Sequence, residues 1–196
     1  MAKKIIGFLI VFVVLVVAVA AIFVYSKVRE ITYYLGDYGI SIKIPAEFIE
    51  EEPINDTNLL YMFGTRSKIT ISATALPLNY WSSGDLDVIM DEYVRLLSAA
   101  KYECNFKDVS LNRVNINGRE VGKVELTIEY RSKSYRTVTY LLGENSGNVA
   151  IEFYGEPEIV KDKHDLIERI ANNIKISSNK HNYSNFTVLE PAKSGE

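Results

Sequence analysis

"NGREVGKVELTIEYRSKSYRTVTYLL", Asn117 to Leu142, decides the fold. Asn-Gly is the dipeptide of a two-residue hairpin turn, because both residues tolerate positive φ. Behind it, Val124, Leu126, Ile128 and Tyr130 alternate with Lys123, Glu125, Thr127 and Glu129. A period of two is that of a strand with one face buried. Val138, Tyr140 and Leu142 repeat the pattern on the next arm. Upstream, "FKDVSLNRVNI" leads into the turn. Downstream, "GENSGN" is a further turn and "VAIEFYG" a last long strand with Val149, Ile151 and Phe153 inward. Such a meander predicts an antiparallel sheet with one good apolar face.

Outward toward the N-terminus, "SSGDLDVIMDEYVRLLSAA" reads as a helix. Ser83 or Asp85 can cap it, Asp87 suits its positive first turn, and Leu86, Ile89, Tyr93, Leu96, Leu97 and Ala100 form its apolar stripe. Before it come the strands "LLYMF" and "KITISATAL", the second with Ile69, Ile71, Ala73 and Ala75 on one face. "ITYYLGDYGISIKIP" reads as a hairpin turning at Gly36-Asp37, with Ile40, Ile42 and Ile44 alternating until Pro45 stops it. Outward toward the C-terminus, a helix begins near Pro157, where the missing N–H costs nothing, with Ile159, Val160, Leu166, Ile167, Ile170 and Ile174 as its stripe. Two helices are too few to cover an alternating parallel sheet. The expected class is therefore α+β, an antiparallel sheet flanked by helices.

At the N-terminus, Ile5 to Tyr25 holds no charged residue. As a helix that run spans roughly 31 Å, close to the ~30 Å hydrocarbon core. A cleaved signal peptide is the competing reading, since Ala18-Val19-Ala20 fits a small-x-small site. Against it, Ala21 to Tyr25 continues the apolar run. The short basic tail before the run is that of an uncleaved signal-anchor, which puts the tail inside and the domain outside the cell membrane. The expected organisation is a cytoplasmic tail (1–4), a single transmembrane anchor (5–25), a linker (26–30), an extracytoplasmic α+β domain (31–176) and a flexible polar tail (177–196).

Beyond the anchor the chain is moderately acidic and shows no Lys/Arg cluster, which argues against a nucleic-acid partner. Its one cysteine, Cys104, excludes an intramolecular disulfide, and nearby Glu103 and Asp108 do not favour a reactive thiolate. Asn-x-Ser/Thr sequons stand at Asn55, Asn182 and Asn185, a motif common by chance.

The stretches "YGISIKIPAEF", "ITISATALP" with the helix after it, "NGREVGKVELTIEY" and "GNVAIEFYGEPE" follow an order that resembles the PsbP-like family, whose fold is shared with the Mog family. The resemblance covers Gly36 to Ile176, with Phe48 where that family often has Trp. It implies an α/β/α sandwich around an antiparallel sheet. It implies no catalytic residues, since the family has none in common. Members act by binding proteins, photosystem components in one branch and a small GTPase in another, and bacterial members are often secreted or membrane-tethered.

No catalytic, metal or cofactor motif is readable. His164 sits at a helix border and His181 in the tail, with no partner at metal-ligand spacing. Asp85, Asp87, Asp91 and Glu92 read as helix-start acids and a solvated face rather than a cation site. Tyr80 and Trp81, in "LPLNYWSSGD", are the candidate partner-binding residues, because loop aromatics are common interface anchors; the alternative is that Trp81 packs back on the helix it precedes. Tyr33, Tyr34 and Tyr38 form a second aromatic group. The expectation is a non-enzymatic, membrane-anchored domain that binds another envelope protein. The alternative is a small-ligand or lipid-binding module with a cleft between sheet and helix, and an enzyme is the third reading.

Overall fold

The structure, a computed structural model, describes residues 14–16, 29–76, 85–100, 104–144 and 147–177. Its elements run β1 (Glu30–Tyr34), β2 (Ile40–Pro45), β3 (Phe48–Glu50), β4 (Asn58–Gly64), β5 (Thr70–Leu76), α1 (Leu86–Ala100), β6 (Cys104–Ile116), β7 (Arg119–Tyr130), β8 (Lys133–Glu144), β9 (Gly147–Gly155), α2 (Pro157–Asp162), α3 (His164–Asn172) and β10 (Lys175–Ile176). Seven strands form one antiparallel sheet in the order β3-β4-β5-β9-β8-β7-β6, and β1-β2-β10 form a second, smaller one. The α+β class expected from the sequence is present.

The long meander follows from its turns. Asn117 and Gly118 both have positive φ, 52° and 83°, the pair of conformations that matches a hairpin to the twist of its strands. The ladder from Arg119–Ile116 to Tyr130–Cys104 is interrupted only between Lys107 and Ser110, where Asp108 also takes positive φ and forms a bulge.

The register sets two apolar faces, not the one expected. On one side Val121, Val138, Tyr140, Leu142, Val149, Ile151, Phe153, Ile71 and Met62 meet Ile40, Ile42 and Ile44 of β2 and Val160, Ile167 and Ile170 of α2 and α3. Tyr140 and Phe153 cross edge-on with ring centroids 6.0 Å apart. On the other side Val124, Leu126, Ile128, Leu141 and Ala150 meet Ile89, Met90 and Tyr93 of α1. Val124 pairs with Thr139 and Glu125 with Val138, so the apolar positions of β7 and β8 point opposite ways. Alternation reads the period of each strand but not which strand positions share a face.

Other departures are local. Gly36–Tyr38 forms a 3-10 turn rather than a tight hairpin turn. The C-terminal helix is broken at Lys163 into α2 and α3, with Pro157 at the first position as expected. β3 and β10 are too short to leave a periodic signal. Asp85 caps α1, its Oδ1 accepting the Asp87 N–H at 3.0 Å.

Among the described residues every ladder lies within residues 30–176 and both cores within residues 33–176, so this stretch has what a self-sufficient folding unit needs. Most of the expected anchor lies outside the described residues; Val14–Val16 are helical and exposed. Among the described residues no helix is long and apolar enough to cross a membrane. Tyr80, Trp81 and the tail beyond Ser177 also lie outside them.

Candidate functional site

Among the described residues α1 lies over β6 and β7, reaches Leu141 of β8 and Ala150 of β9, and leaves β4, β5 and the far part of β8 and β9 without a helix on this side. The uncovered half has a different composition. The register turns Asn58 and Tyr61 of β4, Ser72 and Thr74 of β5, Glu152 and Tyr154 of β9, and Thr137 of β8 to this side. They line a cavity of about 810 Å³. Its other walls are apolar or aromatic: Tyr93 and Leu97 of α1, Cys104, Ile128, Tyr130, Tyr135, Leu76, Ala150 and Ile54. Volume, a mostly apolar lining and a few convergent polar groups are the marks of a small-molecule site.

The polar side chains form a defined set. The Tyr61 and Tyr154 hydroxyls lie 2.8 Å apart. Asn58 Nδ2 reaches Ser72 Oγ at 3.3 Å and Thr74 Oγ1 at 3.2 Å. Asn58 Oδ1 is shut off from solvent and has no partner, and Thr137 Oγ1, on a residue only 2% exposed, has none either. Burial, then the Glu152 carboxylate, pushes the Tyr93 phenol well up. Burial, then the hydrogen bond with Tyr61, raises Tyr154. Both phenols are therefore neutral at any physiological pH.

A second polar group lies on the opposite face, under α3. Lys123 is 8% exposed and its Nζ meets Glu125 at 2.8 Å and Glu168 at 2.7 Å. Tyr140 donates to Glu168 at 2.9 Å, and Arg136 pairs with Glu125 at 2.8 Å. Burial works to lower the Lys123 ammonium, but its two carboxylates outweigh that and raise it. Burial is the largest single influence and works to raise Glu125 and Glu168, but the hydrogen bonds and charge of Lys123, joined by Arg136 at Glu125 and by the Tyr140 hydroxyl at Glu168, together outweigh it and lower both. The 780 Å³ groove beside this cluster is lined by residues that pair among themselves, Lys107 with Glu129 and Arg136 with Glu125. A group so fully partnered acts as structure.

Of the polar candidates read from the sequence, His164 borders the second groove and the acids at the start of α1 fall outside both places. His164 opens α3, half exposed, with Nε2 3.9 Å from Glu168. Asp85 and Asp87 receive the Arg113 guanidinium at 2.8 Å each, and Glu92 pairs with Arg95. Among the described residues no group of three or more His, Cys, Asp or Glu could hold a metal ion. Cys104 is half-buried and free, at the cavity wall. Sequence reading missed the cavity's polar floor; its signal was the run of Ser, Thr, Asn, Glu and Tyr at alternate positions of strands whose other face is apolar.

No family model and no curated protein matches the chain. The fold nevertheless belongs to a known class, the PsbP-like α+β sandwich, as comparison with solved structures shows. Cyanobacterial PsbP (CyanoP) from Synechocystis superposes with a TM-score of 0.60 over 76% of this chain and 92% of that one, at 7% identity. LpqN of Mycobacterium tuberculosis, described as involved in cell envelope biogenesis, gives 0.50 over 76% and 91%, at 12% identity. At these identities the likeness is one of fold.

Proposed function

We propose that this chain is a non-enzymatic binding module, held by residues 5–25 to the outer side of a cell membrane, that takes a small molecule into the cavity between α1 and the sheet. The cavity carries the reading: it is large enough for a ligand, mostly apolar, and polar side chains from four strands converge on it. The anchor and its orientation rest on the uncharged run from Ile5 to Tyr25 and the basic residues before it. Binding of another envelope protein through Tyr80 and Trp81 is the rival reading, and it rests on sequence alone.

The test is native mass spectrometry of the full chain purified from membranes of its own cells. A small-molecule adduct is expected, and it should be absent from a Leu97→Trp variant, whose larger side chain enters the cavity. An adduct-free chain that instead crosslinks stoichiometrically to one protein would overturn the ligand reading in favour of its rival.

A further inference from the structure

Arg-Ser-Lys occurs twice in the sequence, at Arg66–Lys68 and again at Arg131–Lys133. No run of basic residues marks either place, but the ladder order brings the two together. The first joins β4 to β5 and the second joins β7 to β8. Both lie at the same end of the seven-stranded sheet, because Thr70 pairs with Tyr154, Tyr154 with Thr137, and Lys133 with Tyr130. Three strand spacings separate them, about 14 Å. Arg66, Lys68, Arg131 and Lys133 are exposed, and none of the four pairs with a carboxylate. Each connection sets one of its cations over a ring, Lys68 5.6 Å from the Phe63 centroid and Arg131 5.0 Å from that of Tyr130. The acids at this end, Glu30, Glu47, Glu156 and Glu158, lie on other elements and links, and Glu129 is taken by Lys107. The chain also enters the domain here. The Arg29 carbonyl accepts the Ala46 N–H at 2.8 Å, and the Glu47 carbonyl accepts the Thr65 N–H at 3.3 Å, beside Arg66. Arg29 stands four residues on from Tyr25, the last of the uncharged run, a reach of at most about 14 Å.

We propose that this end of the sheet rests on the anionic lipid headgroups of the membrane that holds residues 5–25, with the two Arg-Ser-Lys connections as its contacts. This rests on the anchor proposed above and adds the face that the domain turns to the bilayer. So short a tether keeps the connections at the membrane surface, and cations held there are drawn to anionic headgroups. The rings beside Lys68 and Arg131 suit the same level, where aromatic side chains collect.

The test cosediments residues 26–196, which contain both cores and every described ladder, with vesicles. One set is phosphatidylcholine alone, and the other is phosphatidylcholine and phosphatidylglycerol in equal parts. Binding is expected to the mixed vesicles only, and it should be lost at about 0.5 M salt, where exposed charges are screened. Each cation near such a surface is worth about 5-fold in partitioning. Arg66→Gln with Lys68→Gln, or Arg131→Gln with Lys133→Gln, should therefore weaken binding about 25-fold without lowering the melting temperature. Arg66→Lys with Arg131→Lys should retain it. Arg169→Gln with Lys175→Gln removes the same charge toward the opposite end, where α3 meets the Asn117 turn, and should weaken it less than about 3-fold. Equal binding to both kinds of vesicle, or a control pair as damaging as the pairs at the connections, overturns the proposal. The anchor is tested apart from it, by alkaline carbonate treatment of membranes that carry the full chain. Release of the chain would overturn the anchor and the proposal with it. Retention without binding to the mixed vesicles overturns the headgroup contact alone.

Discussion

Gly122 of β7 lies under α1, and a Cβ built there would sit 2.9 Å from Met90 Cγ and 3.2 Å from Met90 Sδ. Met90 is 1% exposed, so it has no open space to retreat into. Gly122→Ala should therefore cost about 1–3 kcal/mol of overpacking, reduced by about 0.5–1 kcal/mol because alanine loses less chain entropy than glycine. Met90→Ala alone should cost about 2–5 kcal/mol, since it empties a buried site. In the Met90→Ala background the clash is gone and the new methyl fills part of the void, so Gly122→Ala should there be neutral or stabilising. The cycle thus predicts a coupling of about 1–3 kcal/mol, far above the few tenths seen for independent sites. Urea unfolding of the four forms of residues 26–196, followed by circular dichroism, measures it. Equal costs of Gly122→Ala in both backgrounds would refute the reasoning, because the glycine would then not be what lets α1 approach. The single substitution should also change the accessibility of Cys104, since α1 carries Tyr93 and Leu97 to the cavity.

Lys123→Met leaves Glu125 and Glu168 facing each other without their shared cation. It should cost about 2–4 kcal/mol, below the full value for a buried pair because Glu168 is a third exposed. Adding Glu168→Gln should recover part of that loss, and failure to recover any would show that Lys123 acts by packing alone. Acid should weaken the fold through the same carboxylates. Their folded values lie below the unfolded ones, so their contribution is complete above about pH 4.3 and is lost as pH falls through the folded values. Lys123→Met should flatten that acid limb in a denaturation series. In base, Lys123 and the phenols of Tyr93, Tyr140 and Tyr154 are raised, so their contribution is complete below about pH 10 and is lost as pH rises through the folded values. A melting temperature that rises between pH 10 and 11 would contradict this. Asn117→Gly keeps the positive φ but removes the Nδ2 bonds to the Asn172 and Ile174 carbonyls at 3.1 and 2.6 Å, and should cost about 1–2 kcal/mol. Asn117→Ala should cost more, by the strain of the left-handed backbone.

The sequence made the elements legible wherever one physical signal acted over many residues. The Asn117-Gly118 turn, the alternation of β7 to β9, the capped and striped α1 and the Pro157 start all stand in the structure as the local chemistry dictates. What it hid depends on pairing across the chain. The smaller sheet closes because Lys175 and Ile176 pair with Ser41 and Ile40, a contact of two residues at a separation no local pattern encodes. Lys123 reads as a solvent-face position of an alternating strand. It is buried because α3, 45 residues on, brings Glu168 over it. The candidate site was hidden for the same reason: Asn58, Ser72, Thr137 and Glu152 belong to four strands and meet only once the ladder order is known.

That order also explains why one face of one sheet carries two compositions. Under α1 the face is Val124, Leu126 and Ile128, as burial against a helix requires. Across β8, β9, β5 and β4 the same face changes to Thr137, Glu152, Tyr154, Ser72, Thr74, Tyr61 and Asn58. A polar face needs no explanation where water reaches it, because water satisfies it. Thr137 is withdrawn from water and unbonded, so neither packing nor solvation accounts for a hydroxyl there. Valine has nearly the same shape, favours strands, and would remove the unpaired group. Thr139, two residues along the same face, likewise has an unpaired buried hydroxyl, so β8 breaks the rule twice in succession on this side of the sheet. Local rules tend to be broken where a site is, and of these two positions Thr137 is the one on a residue that lines the cavity.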